Sequence, residues 1–333
     1  MAQTKYFYEL TISSSPHAHS SVTTQTIMRD VLIALLPALI GSVYFFGFRA
    51  LTVTMVSAAA CMFFEWIYRK LMKLDSTVYD LSAVVTGVLL AFVCPVTIPY
   101  WCIIIGDFFA IIVVKQLFGG IGQNFVNPAL AARAFLFSWP VIMSTWVKVG
   151  FDNAASIFGA NVDIVTSATP LAPMHQGQLP DVSMLDMFLG NIGGCIGETS
   201  ALLLLIGLAY LLIRKVISIR IPLVFIATVA VLSFLFPQGN DRVAWMGCQV
   251  LGGGLLLGAI FMATDYVTSP VTKLGQVIFA VGCGVITIVI RYFGGYNEGV
   301  SYAILIMNAC APLLDQLGRP VKFGAVKKEA GNK

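Results

Sequence analysis

Long apolar stretches alternate with short polar segments along almost the whole chain. An apolar window of roughly 17–25 residues is long enough to cross a bilayer as a helix. Such windows lie at about 27–47, 50–68, 81–98, 100–117, 127–146, 187–213, 221–236, 244–264, 275–293 and 299–316. The pattern therefore predicts an all-α integral membrane protein with about ten transmembrane helices.

The amino-acid composition also indicates an integral membrane protein. Of 333 residues, 58% are hydrophobic and 11% are charged, whereas soluble domains have about 25% charged residues. This excludes an ordinary soluble domain, and we expect membrane lipid rather than nucleic acid around the chain. The polar residues 1–26 lack the apolar core of a secretory signal. We therefore predict that they form an N-terminal arm on the cytoplasmic side.

The basic residues predict the orientation. With the N-terminus inside, sixteen of the 20 Lys and Arg residues fall on the cytoplasmic side, as the positive-inside rule requires. Both termini are then cytoplasmic, with a single transmembrane domain over 27–316 and a short tail over 317–333. The longest outer loop covers 147–186. A loop of this length without periodicity is uncommon unless it has a function or is disordered.

Ten helices divide into halves of five, at about 27–146 and 187–316, and an odd number per half inverts the second half. Two weak echoes support a repeat: "DLSAVVTGVLLAF" resembles "ETSALLLLIGLAY", and "QNFVNPALAARAF" resembles "MATDYVTSPVTKLG". Inverted halves with Pro- or Gly-interrupted helices are typical of membrane proteins with a site near the midplane.

Acidic side chains at membrane depth are costly and are often functional. Asp107 and Glu65 lie inside predicted helices, so we name both as candidates for an ion pathway, although Glu65 could simply pair with Arg69 one turn away. Asp80 and Glu198 suit a helix N-terminus, where an acid can serve as a cap. Three other acids lie near predicted helix ends: Asp30, Asp265 and Asp315.

The stretch "KQLFGGIGQNFVNPALAARAF", 115–135, combines glycines with polar side chains just before a helix that Pro128 can start. Exposed backbone N–H groups at such an entry suit an anionic or polar heterocyclic ligand. We name Lys115, Asn124, Asn127 and Arg133 as candidate ligand contacts. The alternative is a loop whose small residues allow close helix packing.

The seven cysteines are scattered through apolar runs, without the spacing of a metal site. We interpret them as buried apolar side chains and predict no metal. The alternative is a metal site shared between helices.

A polar, Pro-containing stretch, "DIVTSATPLAP", occupies the predicted outer loop. It offers several hydroxyl groups, but its nearest histidine is His175, and no base forms a self-contained catalytic set with them. We assign no catalytic residue. The residues alone leave this stretch unexplained.

"DIVTSATPL" resembles the signal for covalent flavin attachment in the RnfD/NqrB family, which comprises one membrane component of the Rnf complex and one of the sodium-pumping NADH:quinone oxidoreductase. The resemblance implies that FMN is attached through its phosphate to Thr169. It also implies that Asp163, Thr166, Ser167 and Ala168 are recognised by a dedicated flavin transferase.

Further blocks extend the resemblance over nearly the whole chain: "DLSAVVTGVLLAF", "KQLFGGIGQNFVNPALAARAF", "GETSALLLL" and "GGLLLGAIFMATDYVTSP". The short N-terminal arm is more similar to the Rnf member, RnfD. The resemblance implies ten helices in two inverted, urea-transporter-like halves and a bacterial or archaeal cytoplasmic membrane. It also implies a second, non-covalent riboflavin in or beside the chain.

The function implied by the resemblance is that of one component in an ion-translocating oxidoreductase. Electrons would pass between ferredoxin and NAD while Na⁺ or H⁺ moves. Ferredoxin and NAD would be bound by other components, because this chain lacks iron–sulfur cysteine runs and a nucleotide-binding fingerprint. The alternatives are a secondary transporter or channel for a small polar solute, the quinone-reductase member NqrB, and a purely structural anchor. The transporter leaves Asp163 to Thr169 without a role.

Overall fold

The structure is a computed structural model that describes residues 22–146, 169–239, 241–295 and 298–318. Within these ranges the regular secondary structure is helical and no strand occurs. The helices are α1 (Thr24–Phe46), α2 (Phe48–Leu71), α3 (Ser82–Phe92), α4 (Tyr100–Phe108), α5 (Pro128–Leu136), α6 (Pro140–Met143), α7 (Leu171–His175), α8 (Met184–Leu189), α9 (Ala201–Ile213), α10 (Arg220–Leu235), α11 (Arg242–Leu251), α12 (Leu255–Leu257), α13 (Lys273–Phe293) and α14 (Val300–Leu317).

Two helices continue with π-helical geometry. The chain runs from α4 into a π-helical segment over Phe109–Gln116, and from α12 into a second one over Gly258–Met262. A short 3-10 turn, Val78–Asp80, precedes α3. Segments of π-helix are rare and frequently lie at functional sites, so both places are of interest.

Four helices, α1, α2, α13 and α14, are long and apolar enough to cross a membrane. The pair formed by α11 and the α12 segment is bent by 58° at Gly252–Gly254, the geometry of a broken span or of a re-entrant loop. Side-chain caps define where some helices begin: the Thr23 hydroxyl accepts from Thr26 N–H at α1, and that of Thr272 accepts from Gly275 N–H at α13. The chain is a multi-pass membrane protein.

The structure does not confirm ten full-length spans. In the predicted windows 81–98, 127–146 and 187–213, the longest helices have only 11, 9 and 13 residues; the first two lie at the start of their windows and the third at the end. Proline contributes to two of these differences, because it lacks the backbone N–H and its ring clashes with the preceding turn, which kinks or ends a helix. Pro95 and Pro99 follow α3, and Pro140 follows α5. Glycine-containing irregular backbone occupies 190–199, in the first part of the third window.

The ends of the short helices meet inside the molecule, where the two halves interlock. The backbone N–H groups of Ile196 and Gly197 donate to the carbonyl oxygens of Cys94 and Phe92, at 3.1 and 2.9 Å. A Cβ at Gly197 would lie 2.4 Å from the Phe92 ring, so only glycine fits there. Irregular backbone at membrane depth is tolerated where protein groups satisfy it in this way.

Candidate functional site

Thr169 is half-buried and lies at the entrance to α7. Its carbonyl oxygen accepts from the Ala172 N–H at 2.9 Å. Helix α7 is anchored through Leu171 and Met174, which belong to a small apolar cluster with Trp245. Thr169 is therefore held on a well-packed support. The other motif positions, Asp163 and 166–168 (Thr166, Ser167 and Ala168), lie outside the described residues.

A cavity of about 300 Å³ opens beside Thr169. Its apolar walls include Phe137, Pro140 and Trp146 from the segment that contains α5 and α6. Gly193, Gly194 and Gly295 are also part of the lining. The volume is at the lower end of the roughly 300–1,000 Å³ that is usual for ligand pockets.

A buried cluster of charges adjoins this cavity. The Arg133 guanidinium donates through Nη1 and Nη2 to the two Glu298 carboxylate oxygens, at 2.9 and 2.5 Å. Nη1 also lies 3.4 Å from Glu198 Oε1 and 2.8 Å from Ser301 Oγ. Both glutamates line the cavity, whereas Arg133 is only 2% exposed. The arrangement fixes two carboxylates at the cavity wall and places one positive charge against both of them.

Glu298 lies in the loop between α13 and α14, outside the helices. Burial by itself disfavours the charged carboxylate, but the Arg133 guanidinium outweighs burial and holds the pKa of Glu298 below its ordinary value. Glu298 therefore stays ionised near neutral pH. The sequence interpretation did not single it out. The available signal was an acid directly before an apolar helix.

A second guanidinium supports the bend next to the same cavity. Arg291 of α13 donates through Nη1 to the backbone oxygen and side-chain oxygen of Gln249, at 2.5 and 2.9 Å. Its Nη2 donates to the Gly252 carbonyl oxygen at 3.1 Å. These bonds satisfy carbonyls that the break between α11 and α12 leaves without helical partners.

Glu65 belongs to a different buried network, at the far end of α2. Its carboxylate pairs with Lys115 Nζ at 3.0 Å and accepts hydrogen bonds from Thr77 Oγ1 at 2.6 Å and Gln116 Nε2 at 3.0 Å. Lys115 also donates to Ser82 Oγ at 2.7 Å. The alternative of pairing between Glu65 and Arg69 is wrong, because the π-helical continuation of α4 brings a better-placed cation to the carboxylate.

Asp107 is fully buried on α4 and contacts α2. Its Oδ1 lies 2.6 Å from Ser57 Oγ and 3.2 Å from Cys61 Sγ. The sequence interpretation found no partner for Asp107 close to it in the chain, and its partners indeed come from another helix. Asp107 and Glu65, the two ion-pathway candidates, therefore lie along one helix–helix interface.

Three of the four candidate ligand contacts meet at a second cavity. Lys115, Asn124 and Asn127 line a space of about 100 Å³ between the two halves, together with Asp265 and Tyr266. Arg133 lies instead in the cluster beside the Thr169 cavity. The Asn127 side chain also caps α5 by accepting from Ala129 N–H at 3.0 Å, so part of its role is structural.

Comparison with known proteins shows which protein family the chain is related to. The model of the NQR2, RnfD, RnfE family matches residues 11–324. The chain belongs to this family. It is 48% identical to the D component of the Na(+)-translocating ferredoxin:NAD(+) oxidoreductase complex of Acetobacterium woodii, over 96% of this chain and 98% of that one. It is 43% identical to the D component of the proton-translocating ferredoxin:NAD(+) oxidoreductase complex of Clostridium ljungdahlii, over 94% and 96%.

A more distant member of the NQR2, RnfD, RnfE family has a similar name. The D component of the ion-translocating oxidoreductase complex of Halorhodospira halophila is 36% identical over 94% of this chain and 95% of that one. These relatives match this chain from end to end rather than through one short motif. The family resemblance is therefore confirmed, and the relatives are named as subunits of oxidoreductase complexes.

Three other candidate acids of this chain are engaged in ion pairs or hydrogen bonds. Asp30 pairs with Arg214 at 3.1 Å, and Asp265 accepts from Thr268 Oγ1 at 3.1 Å. Asp315 Oδ1 accepts from the backbone N–H groups of Val271 and Thr272, both at 2.9 Å.

The predicted capping acids do not cap. Ser200, not Glu198, provides the side-chain cap of α9. Asp80 lies in the 3-10 turn, and the cap position of α3 is Leu81, which makes no side-chain bond. Glu198 is instead a member of the Arg133 cluster.

Proposed function

We propose that the chain is the membrane subunit of an ion-translocating ferredoxin:NAD oxidoreductase complex and that it carries FMN as a phosphoester of Thr169. Support for the complex comes from the family match and from the names of the relatives. Support for the attachment comes from the motif over Asp163–Thr169. The observation that carries the proposal is that Thr169 lines a cavity large enough for a ligand.

The residues around Thr169 fit a flavin. Phe137 and Trp146 offer aromatic and apolar surface to a planar ring, and four glycines, including Gly253, add no side-chain bulk to the lining. The Glu198 and Glu298 carboxylates repel a phosphate, so the phosphoester at Thr169 is expected to lie away from them. Their place at the cavity wall suits the polar edge of a ring better than its phosphate end.

When bound, the flavin supplies the electron-transfer chemistry, while the protein supplies position and surroundings. An ester between Thr169 Oγ1 and the phosphate keeps a cofactor that could otherwise dissociate at one place. The α7 support and the apolar walls then set its distance from neighbouring carriers and restrict water. Arg133, Glu198 and Glu298 provide fixed charges at the same cavity.

The rest of the proposed function concerns the assembly. The chain contains neither an iron–sulfur cysteine run nor a nucleotide-binding fingerprint, so ferredoxin and NAD are bound by other subunits. A separate transferase attaches the flavin. The chain lies in a bacterial or archaeal cytoplasmic membrane with both termini inside, in two inverted halves of urea-transporter-like layout. Na⁺ or H⁺ movement involves the α2–α4 interface that contains Asp107 and Glu65.

A non-covalent riboflavin is also implied by the family resemblance. The cavity lined by Lys115, Asn124 and Asn127 has suitable hydrogen-bonding groups, but its volume of about 100 Å³ is well below the roughly 300 Å³ of the smallest usual ligand pockets. As it stands, this cavity does not fit a flavin ring. The proposal therefore places only the covalent flavin within this chain.

The attachment is tested by ultraviolet in-gel fluorescence of the denatured chain, co-expressed with a flavin transferase. Denaturation releases any non-covalent flavin. We expect a fluorescent wild-type band, a dark Thr169→Ala band, and a fluorescent band for Thr199→Ala, which alters another threonine of the same cavity. Dark bands for all three chains, with the transferase active on a control substrate, would overturn the attachment and favour the solute-transporter alternative.

A further inference from the structure

A line of polar side chains follows the buried face of α2. Ser57, Cys61 and Glu65 are spaced four residues apart, so they lie one above another over about 12 Å of helix. They face Asp107 of α4 and Lys115 of its π-helical continuation. We call these five residues the polar seam. One end of the seam contains the cation Lys115, which is paired. The other end contains the acid Asp107 and no cation of the seam.

Helix α3 comes unusually close to the Asp107 end of the seam. A Cβ at Gly87 would lie 2.8 Å from both the Ala58 Cα and the Ser57 carbonyl oxygen. This close approach allows Ser57 Oγ to reach the Gly87 carbonyl oxygen at 2.8 Å. Ser57 therefore contacts two oxygen atoms at once, Gly87 O and Asp107 Oδ1.

Counting hydrogens shows which arrangement this geometry favours. A serine hydroxyl has one proton to donate, yet Ser57 Oγ lies within hydrogen-bond distance of the Gly87 oxygen and, at 2.6 Å, of Asp107 Oδ1. A single Ser57 proton could only be shared between the two oxygens, whereas both contacts are full two-centre hydrogen bonds if Asp107 supplies a second proton. In that arrangement Asp107 Oδ1–H donates to Ser57, and Ser57 donates to Gly87.

The charges around Asp107 favour the same arrangement. Asp107 is in none of the ion pairs among the residues that the structure describes. Its Oδ2 is buried and has no hydrogen-bond partner. Lys115, the cation of the seam, is already bonded to Glu65 and Ser82. An ionised carboxylate without a counter-charge is very costly in such surroundings, whereas the neutral acid is not.

The other titratable groups near Asp107 do not replace this counter-charge. Cys61 faces it on α2, Cys94 lies beyond α3, and Glu65 with Lys115 forms a paired unit farther along the seam. A metal ion is also poorly provided for. Hard cations such as Ca²⁺ take about 6–8 oxygen ligands, whereas Asp107 is within hydrogen-bond distance of only one oxygen outside its own carboxyl among the described residues, that of Ser57.

We infer that Asp107 is a proton-binding site of the membrane domain, formed with Ser57 and the Gly87 carbonyl at one end of the polar seam. The step is the reversible protonation of the carboxylate, in which an O–H bond forms and no other bond changes. The transition of α4 to π-helix two residues after Asp107 is the kind of irregularity found at functional sites. The inference holds whether or not Thr169 carries a flavin.

The test is infrared difference spectroscopy of the purified complex in lipid nanodiscs, in H₂O and D₂O at neutral pH. A protonated carboxylic acid has a carbonyl band, separate from the carboxylate bands, that shifts on deuteration. We expect this band in the wild type and its loss in Asp107→Asn. Asp30→Asn is the matched control, because Asp30 is also buried but is paired with Arg214, and its replacement should leave the band unchanged.

Ser57→Ala provides a second measurement if Asp107→Asn does not assemble. Removing the hydroxyl that accepts the proton weakens the hydrogen bonding of the acid and should move the band to higher frequency. A band unchanged in both Asp107→Asn and Ser57→Ala would overturn the inference.

Discussion

Arg133 and Glu298 lie 165 positions apart in the chain, and their side chains meet in two parallel contacts of 2.9 and 2.5 Å. Arg133 comes from α5, and Glu298 comes from the loop before α14. The contact therefore ties the first half of the chain to the second, at the wall of the cavity that Thr169 lines. The proposed flavin site is complete only when both halves are packed together.

Breaking this contact from one side should be severe. Arg133→Met leaves the buried Glu198 carboxylate and the 15% exposed Glu298 carboxylate without their main counter-charge. Loss of one partner of a buried pair costs about 3–5 kcal/mol, and the partial exposure of Glu298 places the expected loss toward the lower value. Arg133→Lys should restore only part of the loss, because an ammonium group cannot make two parallel bonds to a carboxylate. The measurement is the midpoint of thermal unfolding of the purified chain in detergent.

The double variant Arg133→Met with Glu298→Met separates pairing from burial. If the two groups interact directly, the double variant loses less stability than the sum of the single variants. Arg214→Met is the matched control: its guanidinium pairs with Asp30 but is 47% exposed, so its loss should be much smaller. Strict additivity of the Arg133 and Glu298 effects would contradict the direct interaction.

The cluster of Arg133, Glu198 and Glu298 shows how much of the candidate site could be predicted from the sequence. Arg133 and Glu198 were recognised separately, one as a ligand contact and the other as a cap, because hydropathy and spacing report only on neighbours in the chain. The pairing of Arg133 with Glu298 depends on how α5 packs against the loop before α14. Nothing local in the sequence encodes that packing. Among the hydroxyl groups of its stretch, Thr169 is singled out only by the family motif, and the flavin on it stays a prediction.

Helix positions were predicted better than helix lengths. The window 275–293 matches α13, Lys273–Phe293, nearly residue for residue. The window 244–264 contains instead a helix pair bent by 58°. Hydropathy does not distinguish a residue that faces lipid from one that is buried in the protein interior, because both are apolar. The break at Gly252–Gly254 depends on backbone freedom and on bonds from Arg291.

Gly87→Ala tests the close approach of α2 and α3. Alanine normally favours a helix by about 1 kcal/mol over glycine, but the added methyl would lie 2.8 Å from α2 backbone atoms. Overpacking of this kind costs about 1–3 kcal/mol, so we expect a net loss of stability. Gly295→Ala is the control, because nothing lies within 4 Å of its Cβ position. Equal unfolding midpoints for both variants would show that the helices are farther apart than described.

Asp315 tests whether an acid near a helix end is structural or functional. Its Oδ1 accepts from two backbone N–H groups just before α13, an arrangement like a helix cap. Asp315→Ala should lower stability by about 0.5–2 kcal/mol, and Asp315→Asn should lose less, because an amide oxygen still accepts. Ion transport per folded complex should be unchanged in both. An Asp315→Asn variant with normal stability and no transport would assign the residue to the ion pathway instead.

The Glu65–Lys115 pair gives the most direct test of the polar seam. Glu65→Gln leaves the buried Lys115 ammonium without a counter-charge, and one-sided loss of a buried pair costs about 3–5 kcal/mol. Adding Lys115→Met removes the unpaired charge, so the double variant should unfold at a higher temperature than Glu65→Gln alone. Arg69→Ala is the matched control for the alternative pairing one turn away. Two results together would contradict the Glu65–Lys115 pair. Arg69→Ala would have to lower the unfolding midpoint as much as Lys115→Met does. Its effect, and not that of Lys115→Met, would also have to be non-additive with Glu65→Gln, which would show that the Glu65 carboxylate pairs with Arg69.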